Sequence, residues 1–104
     1  MATILVVEDP LISAFLKSVL AVRNYEAICV NVGGARAMLS DGRAKIDVLI
    51  TNRPLAFTAR PDLPLLYLAA APGRSEIVAF HRALPLAKPF HPRALFECIE
   101  QLLR

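Results

Sequence analysis

Four polar positions in this sequence each follow an aliphatic run of strand length. Glu8 and Asp9 follow residues 4–7, Asn52 follows residues 48–51, and Lys88 follows residues 84–87. In open parallel sheets, ligands bind outside the carboxyl ends of the strands, so side chains at such ends share a pocket. Adjacent carboxylates are ligands for a hard divalent cation such as Mg²⁺. A lysine beside them adds positive charge, which suits a phosphoryl oxygen. Asn52 contributes an amide, which donates and accepts hydrogen bonds but carries no carboxylate to act as a nucleophile. Other chemistries find less support. Cys29 and Cys98 belong to no CxxC or Cys/His cluster of metal-binding spacing, and read as small buried hydrophobes. Gly33-Gly34 lacks the length and the Lys-Ser/Thr ending of a phosphate-cradling loop. His81 and His91 have no partners at metal spacing, so surface or capping roles are expected of them.

The elements that must position these residues follow from periodicity. Residues 3–7 form a short β-branched and aliphatic run ending in two acids, the pattern of a buried parallel strand. Asp9 can cap a following helix, Pro10 suits its first turn, and Leu11, Phe15, Leu16, Val19 and Leu20 recur at helical spacing before Asn24 and Tyr25 close it. Residues 26–31 read as a second strand, 34–40 as a short helix ended by Asp41-Gly42, and 48–51 as a third strand with Thr51 pointing into the sheet. Residues 52–63 should be the third crossover, but two prolines and minimal length predict a loop or one irregular turn. Residues 65–70 make a fourth strand, 74–81 a short helix and 84–87 a fifth strand. Residues 91–104 make a closing helix with Pro92 in its first turn. Strands alternating with helices in this way predict an α/β domain with a parallel sheet and right-handed crossovers.

Composition narrows the class. The 104 residues suit one domain over 1–104, and a hydrophobic fraction of 56% excludes intrinsic disorder. The longest apolar stretch, residues 63–71, has nine residues and a proline, where a spanning helix needs roughly twenty. The N-terminal run has no basic residue before it, unlike a signal peptide, so a cytoplasmic protein is expected. Net charge is +3, yet from Asn52 to Arg93 six bases face only two acids. That basic stretch lacks interleaved aromatics or a recognition-helix signature, so it predicts a solvated face or one meeting an acidic protein, and argues against nucleic acid.

The ordered motifs ILVVEDP, IDVLITN, LPLLYLAA and LAKPF resemble those of response-regulator receiver domains, and the resemblance spans the whole chain. It implies a flavodoxin-like, doubly wound five-stranded parallel sheet, here with the third crossover helix shortened or missing. In that family the paired acids hold Mg²⁺, an aspartate ending the third strand accepts a phosphoryl group, a Thr or Ser ends the fourth strand, and the lysine contacts the phosphate. The lysine-proline peptide is cis in family members, which implies a cis bond at Lys88-Pro89. The sequence departs at each moving part. Five residues after Asp47, the phosphoacceptor position falls on Asn52. The Thr/Ser position falls on Ala69, and the coupled aromatic position falls on Pro85. The expected pocket is therefore a degenerate one of Glu8, Asp9, Asn52, Ala69, Lys88 and Pro89, neutralised internally by Lys88 or by Arg53. No cofactor is expected, Mg²⁺ at Glu8 and Asp9 being the weaker alternative.

These readings predict a pseudo-receiver with no enzymatic activity of its own, acting by contact with a histidine kinase or other signalling protein and forming a homodimer. The broken third crossover is expected to leave Leu55, Phe57, Ile77 and Phe80 as an exposed interaction surface. Two alternatives stand beside this reading. One is a divergent receiver that autophosphorylates with Mg²⁺ on another side chain, and the other is a small basic nucleic-acid-associated protein.

Overall fold

The computed structural model describes residues 1–42 and 45–104. Strands β1 (Thr3–Val7), β2 (Glu26–Cys29), β3 (Val48–Thr51), β4 (Leu65–Ala69) and β5 (Ala83–Ala87) form one sheet in the order β2-β1-β3-β4-β5. All four strand pairings are parallel. The central strands are apolar throughout because covering layers bury both faces of the sheet. In β1, Ile4 and Val6 point to one face while Leu5 and Val7 point to the other, and all four are buried.

Helices α1 (Pro10–Val22) and α3 (Pro92–Leu103) cover the first face. Leu16 and Leu20 of α1, with Leu95, Phe96, Ile99 and Leu102 of α3, pack on Ile4, Val6, Val48, Ile50, Leu66 and Leu68. The Asp9 side chain caps α1 by accepting from the Ile12 N–H at 3.0 Å, and Pro10 occupies its first turn, where a missing N–H costs nothing. Asn24, at φ 61°, takes the left-handed conformation just beyond the helix, one that asparagine tolerates. His91 caps α3 as expected, its Nδ1 accepting from the Arg93 N–H at 3.0 Å.

The second face carries one α-helix, α2 (Val32–Asp41), and two single turns of 3₁₀ helix, Pro54–Phe57 and Arg74–Glu76. Three expectations need correction here. The second strand ends at Cys29 and α2 begins at Val32, because the Asn31 side chain accepts from the Gly34 N–H at 2.7 Å and starts the helix early. The stretch 74–81 is not a helix beyond its first turn. Its chain instead folds inward, with the His81 N–H bonded to the Pro61 carbonyl at 2.9 Å. The proposed exposed surface is also wrong at three of its four residues: Phe57, Ile77 and Phe80 are buried, and only Leu55 is exposed. Lacking a helix to lay over Leu5, Leu49, Leu65 and Tyr67, the two turns drop these side chains, with Leu63, into the gap. Burying apolar area outweighs the loss of regular helix there, at about 1.5–3 kcal/mol for each large side chain.

The second 3₁₀ turn is tied to the sheet by one polar contact. The Tyr67 hydroxyl on β4 donates to Glu76 Oε2 at 2.5 Å. That hydrogen bond, helped by burial, holds the Tyr67 hydroxyl above the ordinary tyrosine value. A raised pKa means stability that is fully present below the ordinary tyrosine value and is lost as pH rises through the raised one. Tyr67→Phe should therefore cost about 1 kcal/mol at neutral pH, and the difference from the parent should shrink in strongly alkaline urea titrations. A gap that widens with pH would contradict the contact. Phe57→Ala should cost about 3 kcal/mol or more by cavity formation, while Leu55→Ala should leave the urea midpoint nearly unchanged. Equal effects would mean that the first turn does not plug the sheet.

Candidate functional site

Parallel topology brings the carboxyl ends of β1, β3, β4 and β5 to one edge, and the polar residues following them meet there. Val7, Glu8, Asp9, Asn52 and Arg53 line an open cleft of about 460 Å³ with Asn31, Val32 and Gly33 at the start of α2. The cleft thus joins three of the residues expected for the site, Glu8, Asp9 and Asn52, with Arg53. Asn31 and Gly33 were not foreseen as lining residues. A strand-ending asparagine shortly before two glycines is the signal for that cap, and the same asparagine also suits a strand terminus.

Lys88 enters from the far side of Glu8. Its Nζ lies 2.6 Å from Glu8 Oε2, with the Glu8 side chain 0% exposed and the Lys88 side chain 25% exposed. Oε2 is buried and has no aligned hydrogen bond, so the ammonium is its compensating charge among the described residues. The other oxygen, Oε1, accepts the Asp9 N–H at 3.0 Å. The backbone around Lys88 fixes its entry: the Lys88 N–H bonds to the Ala69 carbonyl at 2.8 Å, and the Lys88-Pro89 peptide is cis. Ala69 therefore meets the site through its backbone, while its methyl group packs against the second-face core. Pro85 on β5 pairs in register with Tyr67 on β4 and is exposed, outside the cleft. Thr51 points into the sheet, fully buried, and its Oγ1 accepts the Arg53 N–H at 3.0 Å, which shapes the turn carrying Asn52.

This donor set does not fit a divalent cation. Of the two carboxylates, Glu8 is committed to Lys88 and to the Asp9 amide, and one Asp9 oxygen caps α1. The third side chain at the edge is the neutral amide of Asn52. Lys88 already balances Glu8 and the Arg53 cation lines the same cleft, and a hard cation needs uncompensated anionic oxygens to offset its dehydration. Among the described residues no group of three or more His, Cys, Asp or Glu could hold a metal ion. The cysteines offer no nucleophile. Burial pushes both thiols up, Lys17 partly opposing this at Cys29 and Glu97 adding to it at Cys98.

A five-stranded parallel sheet in the order 2-1-3-4-5, with acids after the first strand and Lys-Pro after the fifth, has the fold of response-regulator receiver domains. Solved structures agree. Chemotaxis protein CheY4 of Vibrio cholerae superposes with a TM-score of 0.87 at 24% identity, over 99% of each chain. The response regulator protein TrrA of Thermotoga maritima, solved in complex with Mg²⁺-BeF, gives 0.82 at 24% identity over 99% of this chain and 100% of that one. The receiver domain of the hybrid histidine kinase CckA gives 0.78 at 19% identity, over 99% and 100%. No protein-family model and no curated protein matches the sequence. Among the described residues no helix is long and apolar enough to cross a membrane.

The buried pair makes a specific prediction. Lys88→Met leaves Glu8 buried without a counter-charge and should cost about 2 kcal/mol or more, somewhat below a fully enclosed pair because Lys88 is partly solvated. The double variant Glu8→Gln/Lys88→Met should recover most of that loss in urea denaturation. Additive losses in the double-mutant cycle would show that the two groups are not coupled.

Proposed function

We propose that this chain is a receiver-like signalling module of a two-component pathway, working in the cytoplasm by protein contact, without phosphorylation and without an enzymatic activity of its own. The observation that carries the reading is Asn52 at the end of β3, on the cleft beside Glu8 and Asp9. In the receiver domains that the sequence resembles, this position bears the aspartate that becomes an acyl phosphate. An amide has no carboxylate oxygen to attack phosphorus and form that bond.

Two further features support the same reading. The cation that would meet a phosphoryl group is engaged with Glu8 at 2.6 Å. The hydroxyl and aromatic positions that couple phosphorylation to a change of surface are Ala69 and Pro85. A module without acceptor or switch presents one fixed surface, and such a surface acts by binding a histidine kinase or another signalling protein, either as a competitor or as a scaffold. Its basic stretch between β3 and α3 suits an acidic partner face and raises the association rate by long-range attraction.

Incubation with acetyl phosphate and Mg²⁺, followed by intact mass measurement, tests the reading directly. No adduct is expected on the parent chain, and beryllofluoride should leave its amide NMR spectrum unchanged. Asn52→Asp supplies the missing carboxylate and should gain Mg²⁺-dependent spectral shifts centred on Glu8, Asp9 and the new aspartate. A stable phosphoryl adduct on the parent would establish a working receiver with a different acceptor. A salt-sensitive gel shift on generic DNA would favour the nucleic-acid alternative.

A further inference from the structure

The crossover after β3 forms a single 3₁₀ turn where a full helix would pack beside α2, and it leaves a groove there. Residues 31–33 around the amino end of α2, with Asn52 and Arg53, border the cleft of about 460 Å³. Farther along the same helix, Arg36, Leu39 and Ser40 form one wall of a second cavity of about 290 Å³, and the chain from Ala56 to Arg60 forms the other. Both walls run in the same order, so the two cavities are successive stretches of one groove between α2 and the first turn. Val32, Arg36, Leu39 and Ser40 recur at helical spacing, which puts them on the face of α2 that a neighbouring helix would cover. Arg60 ties the far end. Its guanidinium is bidentate with Asp62 at 3.1 and 3.2 Å and reaches the Leu39 carbonyl at 3.4 Å.

We propose that this groove binds an acidic segment of a partner protein, which sets carboxylates against Arg36 and Arg53 and an apolar side chain over Ala56 and Ala59. Charge selects that occupant. The lining of the second cavity holds two arginines and no acid. Asp62 neutralises Arg60, but Arg36 and Arg53 are exposed, and neither has an ion-pair partner among the described residues. In the first cavity Glu8 is held by Lys88. Asp9 borders that cavity but not the second, and one of its oxygens caps α1. A guanidinium keeps its charge at physiological pH and meets a carboxylate through two parallel hydrogen bonds, so an arginine without a partner on a groove wall favours an acid over a neutral chain. Nucleic acid is the poorer occupant. Phe57, the one aromatic residue lining either cavity, is 3% exposed and offers no face on which a base could stack. This assignment rests on the chain acting by contact, and adds where that contact falls and the charge of the partner.

Titration calorimetry of the full chain with an acetylated, amidated peptide of alternating glutamate and leucine tests this, with far-UV circular dichroism to confirm folding of each variant. Saturable binding that weakens as salt is raised is expected. Arg36→Glu and Arg53→Glu should each weaken it about tenfold or more. Ala59→Trp should weaken it as well, by filling the second cavity without changing charge. Arg74→Glu and Arg93→Glu make the same charge change at exposed positions outside the groove, and should leave the affinity nearly unchanged. Absence of saturable binding overturns the proposal. So does equal binding of a lysine-and-leucine peptide, a complex that survives Arg36→Glu or Ala59→Trp, a complex weakened as much by Arg74→Glu or Arg93→Glu, or a mixed-sequence DNA oligonucleotide that binds more tightly than the peptide through Arg36. Intact mass after acetyl phosphate treatment keeps two failures apart. A chain that takes no phosphoryl group and binds no peptide loses the groove alone, whereas one that binds the peptide and also takes a phosphoryl group keeps the groove and loses the phosphorylation-free reading.

Discussion

The contact between Lys88 and Glu8 joins two strands that are not neighbours. β1 and β5 are separated in the sheet by β3 and β4, a gap of three inter-strand spacings or about 14 Å. The pair spans it above the ends of β3 and β4, so the space over Asn52 and Ala69 is bounded by an ion pair whose acid has no exposed surface. Such a pair contributes less to net stability than to position, because desolvation offsets most of the attraction while loss of either partner leaves a charge stranded. Much of the edge is arranged around that constraint. The Ala69 carbonyl holds the Lys88 backbone, Asp9 gives its N–H to Glu8 and its side chain to α1, and Thr51 turns the chain so that Arg53 opens onto the cleft.

Charge balance at this edge follows from side chains that are individually ordinary. Glu8, Asp9, Asn52 and Arg53 line the pocket with Asn31 and Gly33, and Lys88 pairs with Glu8 from outside that lining. Glu8 and Lys88 already hold each other, while Asp9, Asn52 and Arg53 face the opening.

Much of the fold was legible in the sequence wherever a local signal and burial agreed. β1 and β3 stand out as aliphatic runs ending in polar residues, and α1 and α3 carry caps, an early proline and an apolar face at helical spacing. The pocket was legible for a related reason, since parallel topology alone gathers Glu8, Asp9, Asn52 and Lys88 at one edge. What could not be read was set by long-range geometry. Whether Phe57, Ile77 and Phe80 face solvent depends on how much of the sheet α2 leaves uncovered, and no pattern within residues 52–63 or 74–81 records that. The early start of α2 was missed because Asn31 serves equally as the end of an extended run and as a cap. The pairing of Lys88 with Glu8 in preference to Asp9 rests on the fall of a side chain from the far strand, beyond the reach of spacing.

The sheet is closed on its two sides by very different means. Two helices of three turns or more seal one side, while one helix and two single turns seal the other, and the backbone bonds around those turns are mostly short-range ones such as Arg60 to Phe57 and Phe80 to Ile77. Cooperative units of a fold open in order of how much packing and hydrogen bonding they hold. Amide hydrogens of β1 and β3 should therefore exchange only on global unfolding, and those of residues 54–63 and 74–81 through a cheaper, partial opening. In such a state the second face is laid bare with α1 and α3 still in place. The molecule is in effect hinged like a box with one riveted panel and one latched panel, Tyr67 and Glu76 serving as the latch.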